Sequence, residues 1–241
     1  MRRKPARILA VGSAVLAIAG AAALALSGRE NDIAPRAESQ RPALMLLTSL
    51  PLIFPEDFTL SGGGSKALGA IETRYRVIPV ATTDSASLKQ GRLLLMAHPL
   101  AQPAEALVDL DRWVQDGGRV LLLADPRLDW PSKRPLGDKL RPPPQFADTG
   151  LLSHWGLRLE APESGGPARR QLAARAVLTS SPGSLAGDCR IEQGGFVARC
   201  TLGKGRAVIV ADADFLNVDQ LDGPTDDNLD ALLAELAALE R

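Results

Sequence analysis

Apolar and polar positions divide this chain into one unbroken apolar run near its start and a series of shorter runs separated by Pro, Gly and charged residues. The first, Ile8 to Leu26, holds about nineteen residues without a charge, enough for one helix to cross a bilayer. The later runs are strand-sized. Ala43 to Leu50, Tyr75 to Val80, Leu93 to Ala97, Arg119 to Ala124, Ala174 to Thr179 and Arg206 to Ala211 read as strands, the third and fourth apolar throughout, as strands buried on both faces are. Between those two, Leu107, Leu110, Trp113 and Val114 recur at helical spacing behind Pro103, and Gly117-Gly118 stops the helix. Asp226 to Leu239 is a closing amphipathic helix with Leu229, Leu232, Leu233, Leu236 and Leu239 on one face. Leu151 to Leu159 predicts a short helix leading into a strand, whereas Trp130 to Pro144 and Pro162 to Gln171 read as loops. Strand, helix, strand with apolar strands is the pattern of a mostly parallel sheet covered by helices, so the predicted class is α/β.

Basic residues orient the first run. Arg2, Arg3, Lys4 and Arg7 precede it, and the positive-inside rule keeps them in the cytoplasm. The chain then divides into a basic tail over 1–7, a transmembrane signal anchor over 8–26, a Pro-bearing linker over 27–42 and an extracytoplasmic domain over 43–241. Small residues at Ala23-Leu24-Ala25 and Ala25-Leu26-Ser27 leave a cleaved secretory signal as the alternative, and both readings export the domain. The expected location is the inner (cytoplasmic) membrane, single-pass, with the carboxyl-terminal domain in the periplasm and the membrane itself a partner.

Charge excludes one class of function. The 28 Lys and Arg balance the 28 Asp and Glu, no block of like charge stands out, and no nucleic-acid footprint results. Cys189 and Cys200 flank Gly194-Gly195, a dipeptide suited to a two-residue hairpin turn. Counting outward from that turn sets Cys189 opposite Cys200, within reach of a disulfide that an exported compartment would preserve. Two buried free thiols are the alternative, and without a CxxC spacing no zinc site is predicted.

Ligands of open parallel sheets gather beyond the carboxyl ends of the strands. The polar residues there are Thr48-Ser49, His98, Asp125 with Arg127, and Asp212 with Asp214 and Asn217. Ser49, His98, Asp125, Arg127, Asp212, Asp214 and Asn217 are therefore the candidate ligand- or partner-binding set, weighed against Asp as a cap or turn former. No catalytic residue, metal or cofactor is assigned, because no G-x-S-x-G elbow, no G-x-C-x-G and no phosphate loop is present. The rival expectation is a metal-assisted hydrolase using Asp125, Asp212, Asp214 and His98. A third, a polymer-binding domain, rests on Trp130 and Trp155. Arg127, Lys133, Arg134, Lys139 and Arg141 form a local basic cluster at the same edge, suited to an anionic ligand or partner.

Three stretches resemble a family: Leu44 to Leu52, Trp113 to Pro126, and Gly203 to Asn217 followed by Asp227-Asn228. They are similar to the exported domains of bacterial gliding-motility and ABC-type transport auxiliary proteins. The resemblance implies a three-layer, amidotransferase-like or flavodoxin-like fold with an added antiparallel hairpin. It also implies membrane transport-complex proteins as partners and an accessory role. The position after Leu93 to Ala97 holds His98-Pro99 and that after Arg119 to Ala124 holds Asp125-Pro126, so the nucleophilic Cys of true amidotransferases has no counterpart. The expectation from sequence is a non-enzymatic, membrane-anchored binding module.

Overall fold

Strands begin where apolar runs begin and end where Pro, Ser or Asp interrupts them. The computed structural model describes residues 33–54, 56 and 64–241. In chain order the elements are β1 (Ala43–Thr48), α1 (Lys66–Glu72), β2 (Arg76–Pro79), α2 (Ser85–Leu88), β3 (Leu93–Ala97), α3 (Ala104–Gln115) and β4 (Arg119–Leu123). Then follow α4 (Leu151–His154), β5 (Leu157–Glu160), β6 (Pro167–Leu172), β7 (Arg175–Ser180), β8 (Ser184–Gly187), β9 (Arg190–Glu192), β10 (Val197–Leu202), β11 (Gly205–Val210) and α5 (Asp226–Glu240). One sheet of seven strands runs in the order β2-β1-β3-β4-β11-β10-β9. Its first five strands are parallel, and β10 pairs antiparallel with both β11 and β9.

Both faces of that sheet are buried. Met45, Leu47, Leu94, Met96, Val120, Leu122, Ala207 and Ile209 pack with Leu110 and Val114 of α3. The alternate residues Leu44, Leu46, Leu95, Leu121, Leu123, Val208 and Val210 point to the opposite face and are buried as well. In α5, Leu232, Leu233, Leu236 and Leu239 are buried, as its leucine spacing requires, and Leu229 is half-buried. Gly205 has a specific reason to be glycine: a Cβ there would lie 1.9 Å from the Val114 carbonyl oxygen, so β11 starts directly beneath the end of α3. Pro35 to Arg241 forms one compact unit, and Arg36 is tied into it by paired hydrogen bonds of 2.9 and 2.8 Å to Glu240.

Two short hairpin pairings depart from expectation. β6 occupies part of the stretch read as a loop and pairs antiparallel with β7, and β8 pairs antiparallel with β5. In β6, exposed Pro167, Arg169 and Gln171 alternate with half-buried Ala168 and Arg170 and buried Leu172, so the strand carries little apolar signal. The cysteine hairpin keeps its predicted register through a different turn. Gln193 to Gly195 form a 3-10 turn with φ of 53°, 64° and 97°, and Glu192 pairs with Val197. One step beyond the Arg190–Arg199 pair, Cys189 and Cys200 are disulfide-bonded with Cα atoms 4.9 Å apart. The free-thiol alternative is thereby removed.

Among the described residues no helix is long and apolar enough to cross a membrane. The Ile8 to Leu26 run and its basic flank lie outside the described residues.

Candidate functional site

Neighbouring strands carry their carboxyl-end residues to one place. β4 and β11 pair in parallel with Leu123 opposite Val210, so Asp125 and Asp212 emerge side by side, and Asp214 follows on a 3-10 turn over Asp214–Leu216. Oxygen atoms of Asp125, Asp212 and Asp214 lie within 4.8 Å of one another. All three side chains are buried, at 0%, 0% and 2% exposure, and among the described residues no Lys, Arg or His pairs with them.

Local hydrogen bonds fix the three carboxylates. Asp125 Oδ1 accepts from Arg127 N at 2.9 Å, an Asx turn, and its Oδ2 accepts from Ala213 N at 2.9 Å. Asp212 Oδ1 accepts from Thr179 Oγ1 at 2.5 Å and from Phe215 N at 3.2 Å. Asp214 Oδ2 accepts from Asp129 N at 2.9 Å. Asp212 Oδ2 and Asp214 Oδ1 have no hydrogen-bond partner. Burial raises the Asp212 pKa well above the carboxylate range, with the charges of Asp125 and Asp214 adding to it. Burial likewise pushes Asp214 up to about 8, reinforced by Asp125. Asp125 is pushed up to about 6, again chiefly by burial, with backbone hydrogen bonds opposing the rise.

The other candidates separate from this cluster. His98 does not join it: its ring is fully buried, Nε2 lies 2.8 Å from the Pro143 carbonyl oxygen, and its backbone takes a φ of 46°. Burial holds the imidazole below its ordinary pKa, against a smaller opposing effect from the Pro143 bond. The Ser49 hydroxyl donates to the His98 carbonyl oxygen at 2.5 Å, so Ser49 and His98 seal the carboxyl ends of β1 and β3. Arg127 is exposed, with its guanidinium against Gly165. Asn217 is half-buried and lines, with Asp214, Asp129, Thr179 and Asp222, a cavity of about 200 Å³.

The long loop is closed at its base, where Leu128 N donates to Pro144 O at 2.9 Å and Phe146 N to Asp125 O at 2.7 Å. Within its basic cluster, Arg134 contacts Asp138 at 3.7 Å and Glu56 at 3.9 Å, and Arg141 Nη1 donates to Arg134 O. Trp155 belongs to the core, with Nε1 donating to Asp111 Oδ1 at 2.9 Å; Trp130 is half-buried. Exposed His154 lies 3.3 Å from the same Asp111. A cavity of about 400 Å³ at the end of β1 is lined by Leu50, Ile53, Phe54, Leu100, Arg134 and Leu140. A larger one, about 620 Å³, opens at the opposite edge of the sheet beside Arg92, Arg119 and Lys204, away from the carboxylates.

Sequence reasoning missed Thr179 and Asn228. Thr179 sits on β7 and orients Asp212. Asn228 accepts from Leu178 N and donates to Leu178 O and Phe215 O, clamping β7 to α5. The Asp227-Asn228 pair was the available signal.

No protein-family model matches the sequence. No curated protein matches it. Solved structures with a similar fold include the cytoplasmic protein STM3548 from Salmonella typhimurium, at 9% identity and TM-score 0.51, covering 82% of this chain and 98% of that one. The mmIFT52 N-terminal domain is similar at 13% identity and TM-score 0.50, covering 80% and 96%. An exo-β-1,4-mannosidase from Opitutaceae bacterium strain TAV5 is similar at 12% identity and TM-score 0.47, covering 83% of this chain but 36% of the enzyme. This chain therefore spans about a third of the mannosidase's length. Because that enzyme and several β-galactosidases contain the similar arrangement, the expectation that the chain is not an enzyme is withdrawn. The likeness itself, with TM-scores below 0.5, assigns no activity to this chain.

Proposed function

We propose that this chain is a membrane-anchored, extracytoplasmic accessory module of a bacterial ABC-type transport or envelope system, and that it binds its partner protein at the carboxyl edge of the sheet. The observation that carries the reading is a group of exposed apolar side chains there. Phe54, Leu100 and Leu140, at 73%, 51% and 67% exposure, surround the cavity at the end of β1. Exposed apolar groups gathered in one place mark interaction surfaces. Arg134 and Lys139 on the same wall add charge for orienting a partner.

Export is supported by the Cys189–Cys200 disulfide, which persists in oxidising compartments, and by the apolar run with its basic flank. The strand order β2-β1-β3-β4-β11 matches the flavodoxin-like doubly wound pattern, which suits the amidotransferase-like resemblance. A photo-crosslinking residue at Leu140, with one at Val108 on α3 as control, tests the reading in native membranes. Capture of the same transport or envelope protein from Leu140 and not from Val108 is expected; recovery of the chain alone from both would end it.

A further inference from the structure

We propose that Asp125, Asp212 and Asp214 form a binding site for a hard divalent cation, Ca²⁺ or Mg²⁺, at the carboxyl ends of β4 and β11. This inference stands apart from the partner-docking reading, since it concerns other residues of the edge.

Three observations converge. The donor set is all carboxylate oxygen, the chemistry hard divalent cations take. Its spacing fits: two oxygens on opposite sides of Ca²⁺, each about 2.4 Å from the ion, are about 4.8 Å apart, and the three carboxylates lie within 4.8 Å of one another.

The second observation is the pattern of satisfied and unsatisfied oxygens. Five donors hold these side chains, four backbone N–H groups and the Thr179 hydroxyl, and every one of them donates to a carboxylate oxygen. Asp212 Oδ2, on a fully buried side chain, and Asp214 Oδ1 have no hydrogen-bond partner. Two fixed, buried carboxylate oxygens without a hydrogen-bond partner, and with no neighbouring cationic side chain among the described residues, are placed to take up a cation.

The third is access. Asp214 lines the cavity of about 200 Å³, whose wall also carries Asp129, Asn217 and Asp222, so an ion entering from solvent meets oxygen groups along the way.

The experiment uses the full chain in detergent, stripped with a chelator and titrated with CaCl₂ and MgCl₂ by calorimetry, with thermal unfolding in parallel. One saturable site per chain is expected, in the range of about 10⁻⁴–10⁻³ M typical of exported modules. Bound cation should raise the unfolding temperature, and Asp214→Asn should weaken binding at least ~10-fold. Asp212→Asn should do the same; where it fails to fold, Asp214→Asn at the cavity wall decides. Absence of saturable binding up to about 10 mM, or binding unchanged in both variants, overturns the site. Crosslinking from Leu140 that persists in chelated protein beside absent binding would overturn the cation site alone and leave the docking reading standing.

Discussion

Two buried charge clusters in this molecule are built on opposite principles. Arg199 of β10 donates from Nη1 and Nη2 to both oxygens of Glu235 on α5, at 2.7 and 2.6 Å, and from Nε to Glu192 at 2.9 Å. Glu235 is 1% exposed, and its hydrogen bonds hold the Arg199 guanidinium even further above its ordinary pKa. Each charge there has its opposite. The Asp125, Asp212 and Asp214 cluster buries three carboxyl groups with no cationic partner among the described residues and two oxygens unmatched. A paired cluster of this kind fastens a helix to a strand, whereas an unpaired one is maintained at a cost and is therefore a candidate for binding.

Removing one half of the paired cluster should have the largest effect. Glu235→Ala removes the bidentate partner of Arg199, which is partly exposed and keeps Glu192, and is expected to lower stability by about 3 kcal/mol in chemical unfolding. A loss under half of that would mean the pair is replaceable by water. The disulfide beside Arg199 comes next. Replacing Cys189 and Cys200 together by Ser should cost about 2–3 kcal/mol, measured by the same unfolding curves against the oxidised wild-type chain.

The unpaired cluster should respond to pH with the opposite sign from an ordinary salt bridge. Folding raises the pKa of Asp125, Asp212 and Asp214, so the folded state holds protons that the unfolded chain releases. Their contribution is fully present below about pH 4 and is lost as pH climbs through the raised values, about 6 for Asp125 and about 8 for Asp214. Chelated protein should therefore unfold at a lower temperature at pH 8 than at pH 5, and added cation should narrow the gap. A flat profile between those pH values would show that the three carboxyls do not titrate with folding. The smallest effect belongs to Asp212→Asn in chelated protein at pH 8. The amide keeps an acceptor for Thr179 and cannot ionise beside Asp125 and Asp214, with a gain on the order of 1 kcal/mol expected. A loss instead would mean that the charge is matched even without an ion.

Much of this edge was legible in the chain. β3 occupies the predicted Leu93 to Ala97, and β4 starts at Arg119 and stops just before Asp125, because apolar runs bounded by Pro and Asp leave little choice of ends. Asp125 and Asp212 could be nominated together, since each follows a continuous apolar strand. That β4 and β11 are neighbours could not, because the long stretch between them holds no local sign of it. His98 stays apart from the carboxylates for a related reason. Its ring is taken by Pro143, on a long loop whose fold-back depends on tertiary closure rather than on spacing. Thr179 escaped because a hydroxyl inside a strand reads as ordinary strand composition until its partner is in view.

The two outer strands limit how anything can join this sheet. β2, four residues long, carries Arg76 and ends on Pro79, and β9, three residues long, carries Arg190 and Glu192. Short rims bearing charge or proline discourage a foreign chain from extending the ladder. Recognition by β-augmentation is therefore disfavoured at both flanks, and any companion protein is left to engage side chains instead of backbone amides.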